Sequence, residues 1–245
     1  MDYTKYCALT FNGVLVDEII NGYQTINVEG RGLKPKKIEL IDIPGRRGTY
    51  INSSTYYPNS LKVYFMIKAI NDKEKRKILD ELNIRLHSKE DVVFSFGDEK
   101  GYRIGRLKDV ESIPFDSNEG VGTFEIYCQY PFRILESIEN IATTQYKINY
   151  PGTFEIEFEE FRITPDNTNE VRIRNVTNGD IISLKNLDNM KEIILNKETI
   201  TQNGANIVNK LDWTISKWKS FKVSNEDLLQ YQGGSFKSKI RGLML

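Results

Sequence analysis

Three glutamates, Glu155, Glu157 and Glu159, alternate with Phe154, Ile156 and Phe158. On an extended strand they share one side, with neighbouring Cα atoms roughly 7 Å apart. Paired carboxylates at such a separation suit an inverting glycosidase, where one donates a proton and the other activates water. The same spacing describes the solvated face of an amphipathic strand, and nothing in the chain supplies a pocket to raise one carboxyl pKa. Glu39 and Asp42 make no better pair. The glutamates therefore read as a polar face, and no catalytic residue is assigned.

Other reactive groups are scarce. The single histidine, His87, excludes an HExxH site and leaves any nucleophile only one available base. It closes an expected helix, where a cation or donor suits the C-terminal dipole. Cys7 and Cys128 are too few for a disulfide framework or a four-cysteine zinc site. They read as buried free thiols, with a disulfide as the alternative if their strands are neighbours. Gly45-Arg46-Arg47-Gly48 lacks the GxxxxGK[ST] spacing of a phosphate loop. The expectation is a protein that is not an enzyme and carries no cofactor and no metal.

Two stretches could bind rather than react. Arg31, Lys34, Lys36, Lys37, Arg46 and Arg47 make residues 31–47 locally basic, and Tyr50, Tyr56 and Tyr57 follow. Basic and aromatic residues together can hold single-stranded nucleic acid. A basic hairpin docking on acidic neighbours is the reading preferred here, since charge complementarity fixes register in an assembly. Trp213, Trp218 and Tyr231 could stack on a sugar or a partner, or anchor a core.

Composition decides part of this. The chain has 34 Lys+Arg against 34 Asp+Glu, and the balance holds separately over residues 1–137 and 138–245. A dedicated nucleic-acid binder carries a basic excess, so that class is set aside. No apolar run approaches the roughly 20 residues of a membrane-spanning helix, and no signal peptide is expected at Met1–Cys7.

The elements that position these residues are mostly strands. Lys62–Ile67, Val92–Phe96, Tyr102–Leu107 and Thr123–Cys128 are β-branched and aromatic runs between turn residues. Ile78, Leu79, Leu82 and Leu86 recur at helical spacing after Asn71 and Glu74, a capping-box arrangement. This predicts one amphipathic helix lying on a sheet. Residues 136–144 read as a junction. Beyond it, alternating runs at 154–159, 171–176, 180–184, 192–195 and 219–223 predict a β-sandwich. The expected domains are 1–137, α+β with one helix, and 138–245, nearly all-β.

In chain order, Phe11-Asn12-Gly13, Val28-Glu29-Gly30-Arg31-Gly32, Ile43-Pro44-Gly45-Arg46-Arg47-Gly48-Thr49-Tyr50, the helix, a Phe-rich strand and Cys128-Gln129-Tyr130-Pro131-Phe132 form a recognisable series. The series resembles the distal tail protein (Dit) family of long-tailed, siphovirus-type phages and prophages of Gram-positive bacteria. Pro-Gly-Arg-x-Gly-x-Tyr at 44–50 is its most specific element. Tyr130 stands where the family often has Asp, and the second domain matches by length and strand content.

The resemblance implies a mainly-β fold: an N-terminal ring-forming domain with one helix and a long β-hairpin, then a galectin-like β-sandwich. It implies a structural hub of the phage tail tip or baseplate. Six copies form a ring joining the tail tube protein to a tail-associated lysin or fibre and to the receptor-binding protein. Pro44, Gly45, Arg46, Arg47, Gly48, Thr49 and Tyr50 would be the hairpin tip that contacts the next subunit. No membrane is a partner. The location implied is the virion tail, assembled in the host cytoplasm. The alternative is a carbohydrate-binding tail protein that touches the host wall through the second sandwich, with Trp213, Trp218 and Tyr231 as its contacts.

Overall fold

The computed structural model describes residues 7–45, 47–111, 118–142, 144–150, 152, 154, 157–166 and 168–245. It is mainly β, and the chain divides into two compact units, one running to Arg133 and the other spanning Ile134–Met244.

The first unit contains β1 (Leu9–Phe11), β2 (Val14–Leu15), α1 (Val16–Ile19), β3 (Tyr23–Glu29), β4 (Lys36–Ile41), β5 (Tyr50–Tyr56) and β6 (Asn59–Lys68). There follow α2 (Asp72–Leu86), β7 (Val92–Phe96), β8 (Arg103–Glu111) and β9 (Glu119–Cys128). Seven strands form one sheet in the order β2-β1-β7-β8-β9-β6-β3. From Asn59 to Ile67, β6 alternates between buried and half-buried residues, as a strand does with one face in a core.

The helix is the one the spacing predicts. Asn71 caps it, accepting from the Glu74 N–H at 3.0 Å, while Glu74 reaches back to the Ile70 N–H at 2.6 Å. Ile78, Leu82 and Leu86 enter a core with Val63, Phe65, Ile67 and Phe124. Lys75, which looks like part of the solvated first turn, is also buried.

The short helix α1 has no mark in the sequence pattern. Its four residues are too few to show a period, and its job is to carry one side chain. Asp17 accepts from the Leu9 N–H (2.8 Å), the Thr25 N–H (2.6 Å) and the Thr25 hydroxyl (2.9 Å), joining β1 to β3. Asp17→Ala leaves the Leu9 and Thr25 N–H groups without this acceptor, while the Thr25 hydroxyl keeps the Tyr23 hydroxyl at 3.1 Å; each bond to a charged acceptor is worth about 1.5 kcal/mol. The expected loss is about 3 kcal/mol, read as a lower urea midpoint at constant m. A loss under about 1 kcal/mol would contradict this role.

The second unit contains β10 (Arg133–Ala142), β11 (Gln145–Lys147), β12 (Glu157–Pro165), β13 (Glu170–Asn175), β14 (Ile181–Lys185) and β15 (Ile193–Asn196). β16 (Ile200–Gln202), β17 (Ala205–Asn206), β18 (Leu228–Gln232) and β19 (Gly234–Met244) complete it. They form a six-stranded sheet, β10-β19-β12-β15-β16-β17, and a four-stranded sheet, β11-β18-β13-β14. One core fills the sandwich, including Phe158, Phe161 and Ile240 from the first sheet and Ile173, Ile182 and Tyr231 from the second.

Two expectations are corrected. Residues 136–142 are not a junction but most of β10. Their apolar positions, Ile138 and Ile141, are three apart, so no strand period is visible. The alternating run placed at 154–159 is described as strand only from Glu157, and continues to Pro165. A bulge at Glu159 breaks its register: Phe158 pairs with Ile240, and Glu160 with Lys239. The extra residue lets Phe158 and Phe161, three apart, both face the core.

Candidate assembly surface

β4 and β5 pair with each other and, among the described residues, with no other strand. Every residue of β4 is exposed. The register explains what this hairpin shows to solvent. Ile38 pairs with Ser54, Glu39 with Ser53, Leu40 with Ile51 and Ile41 with Tyr50, which leaves Asn52 as an extra residue in β5. Without that bulge Leu40 would face Asn52; with it, Ile38, Leu40 and Ile51 share one face. Their exposures are 52, 57 and 56%.

The opposite face is polar near the base. Glu39 accepts from the Ser53 hydroxyl at 2.8 Å and lies 3.5 Å from Lys37. These two groups, Ser53 first, hold its carboxyl below the usual glutamate range. Towards the tip this face also turns apolar, with Ile41 and Tyr50 exposed. Large apolar side chains on both faces of an isolated two-stranded ribbon have no core of their own to join.

The expected contact residues lie at the turn. Gly45 and Gly48 have φ of +84° and +89°, in the left-handed region that favours glycine. Pro44, Arg47, Thr49 and Tyr50 are exposed, while Arg46 lies outside the described residues. The basic segment does not act as one surface. Arg31 turns inward, placing Nη1 2.7 and 2.8 Å from the two Asp98 oxygens and its guanidinium over the Phe96 ring. Its neighbours Lys36 and Lys37 go to opposite faces of the hairpin.

The sugar-stacking set does not come together. Tyr231 is buried in the sandwich core and stacked on Phe236 at 4.6 Å, where burial pushes its hydroxyl pKa up to about 12. Trp218 is buried too, its indole N–H donating to the Asn196 carbonyl at 2.7 Å. Trp213 alone is exposed, at 61%, edge-on to Trp218. Their spacing in sequence carries no strand period that would separate inward from outward rings.

Of the glutamate triplet, Glu155 and the Glu157 side chain lie outside the described residues. Glu159 accepts from the Ser137 hydroxyl and pairs with Arg241 and, at 3.6 Å, with Lys239. An open groove of about 690 Å³ runs beside it, lined by Glu139, Glu160, Arg162, Lys237 and Lys239 among others. Glu160 pairs there with Arg162 at 2.5 Å. Both cysteines are buried free thiols, and burial raises the Cys128 pKa to about 11.

Comparison with known proteins bears on the chain as a whole. Residues 15–127 match the family model of the phage tail protein RIFT-related domain. Among solved structures, the Dit protein of phage SPP1 matches with a TM-score of 0.79 at 17% identity, covering 97% of this chain and 99% of that one. It is described as a paradigm of the hub adsorption apparatus in phages infecting Gram-positive bacteria. The activated baseplate of phage P2 with calcium contains a chain that matches at a TM-score of 0.45 and 10% identity, covering 91% of each. Among curated proteins none matches.

Proposed function

We propose that this chain, a phage tail protein of the distal tail family by its RIFT-related domain and by its fold, is a structural hub of the tail tip. Six copies close into a ring between the tail tube and the host-adsorption apparatus, and each hairpin lies over the next subunit. The observation that carries this reading is the β4–β5 hairpin, which exposes apolar side chains that its own fold leaves uncovered. A head-to-tail contact repeated around an axis closes into a ring and covers one such surface per subunit. The ring then offers one face to the tube and the other to a lysin, fibre or receptor-binding protein. A sugar-binding role has less support, because Trp218 and Tyr231 are core residues.

Light scattering tests the ring. Six chains of 28.4 kDa give about 170 kDa. The expected result is that mass at raised concentration, or a lower oligomer that closes when a tail-tube end is supplied. A strict monomer that also fails to join tail tubes contradicts the reading.

A further inference from the structure

We propose that the β4–β5 hairpin is a preorganised arm, its direction fixed before assembly by Arg31 on one leg and by the Tyr56–Phe132 contact on the other. The inference deepens the hub reading, and its first test is independent of it. Since neither strand joins another sheet among the described residues, the direction of the arm is decided at its legs, residues 30–35 and 56–59.

On the incoming leg, Arg31 is held by both Asp98 oxygens, lies 3.6 Å from Glu99, and donates from Nε to the Val28 carbonyl at 3.3 Å. A planar guanidinium gripped from several sides fixes orientation as well as position. On the outgoing leg, the Tyr56 ring meets Phe132 edge-on at 5.6 Å, and Phe132 meets Tyr130 at 4.9 Å. Lys36, the first residue of β4, lies over the other partner of this contact, 5.3 Å from the Tyr56 ring centre. A cross-brace ties the two legs together: the Asn59 amide donates to the Gly30 carbonyl at 3.2 Å.

The sequence adds a stiffener to each leg. Pro35 immediately precedes β4, and Pro58 stands between β5 and β6. Proline fixes φ and removes most of the freedom a leg would otherwise have. An arm aimed in advance loses less entropy on docking than one that must find its direction, which is how preorganisation raises affinity.

Spin labels at Thr49→Cys and Lys108→Cys report the arm against its own sheet; the native cysteines are buried. On the single subunit the expected distance distribution is one narrow peak. Tyr56→Ser and Pro35→Gly/Pro58→Gly should broaden it, and Tyr56→Phe, which keeps the ring, should not. If the arm then spends about a tenth of its time in the docking direction, ring closure should need about tenfold more protein. A broad distribution in the wild type, or variants that stay narrow, would overturn the proposal. So would variants that broaden yet assemble at the wild-type concentration. A narrow distribution in a chain that never closes would instead overturn the ring and leave the arm standing.

Discussion

Ile38→Thr/Leu40→Thr/Ile51→Thr should give a subunit that melts at the wild-type temperature and does not close into a ring. Threonine keeps the β-branched shape that suits a strand, so the hairpin retains its local preference. The three side chains touch no core of their own, and exposed substitutions usually change stability by under about 0.5 kcal/mol. At an interface the balance differs. Fully burying an aliphatic side chain is worth about 1.5–3 kcal/mol. These three are already about half covered, so roughly 3 kcal/mol is at stake per contact, and each subunit of a closed ring makes the contact anew. Light scattering and a melting curve on the same sample check both halves. A variant that assembles like the wild type, or one that unfolds, would show that this face does not dock.

Gly242→Ala should be strongly damaging to the second unit. A Cβ at Gly242 would lie 1.8 Å from Cε1 and 2.3 Å from Cδ1 of Tyr150. The ring cannot simply swing away. Its hydroxyl donates to the Glu136 carbonyl, and its backbone N–H donates to Asn225 at 2.9 Å. Either Tyr150 gives up its hydroxyl partner or β19 shifts against β12, with which it pairs from Glu157 to Pro165. Overpacking costs about 1–3 kcal/mol and a lost buried hydrogen bond about 1 more, so the expected loss is about 3 kcal/mol. For a unit of this size that corresponds to a fall of about 12 °C or more in Tm. The double variant Gly242→Ala/Tyr150→Leu should recover part of it, because the smaller side chain leaves room for the methyl. No recovery, or a single variant within about 1 kcal/mol of wild type, would contradict the packing described.

The legible parts of this fold are the parts with a local cause. Helix α2 follows from the spacing of Ile78, Leu82 and Leu86 and from its cap at Asn71, all within a short stretch of chain. The turn between β4 and β5 follows from glycines at 45 and 48, which the backbone uses at positive φ. What stayed hidden depends on which strands meet. The bulge at Asn52 exists only through the pairing of β4 with β5, yet it decides that Ile51 shares a face with Ile38 and Leu40. The charges of Arg46 and Arg47, by contrast, are visible without any pairing. The bulge at Glu159 is hidden for the same reason. Arg31 looked like part of a basic surface because its partner Asp98 is distant in sequence. Trp218 and Tyr231 show the limit from the other side: a tryptophan or tyrosine outside a periodic run carries no mark of inside or outside until the sandwich closes on it.

Negative-stain images of the purified chain test the central claim most directly. The account predicts closed rings with six-fold symmetry, about 170 kDa each from chains of 28.4 kDa. The same images of the Ile38→Thr/Leu40→Thr/Ile51→Thr variant should show single subunits. Isolated wild-type particles at every concentration, with or without tail tubes, would contradict it.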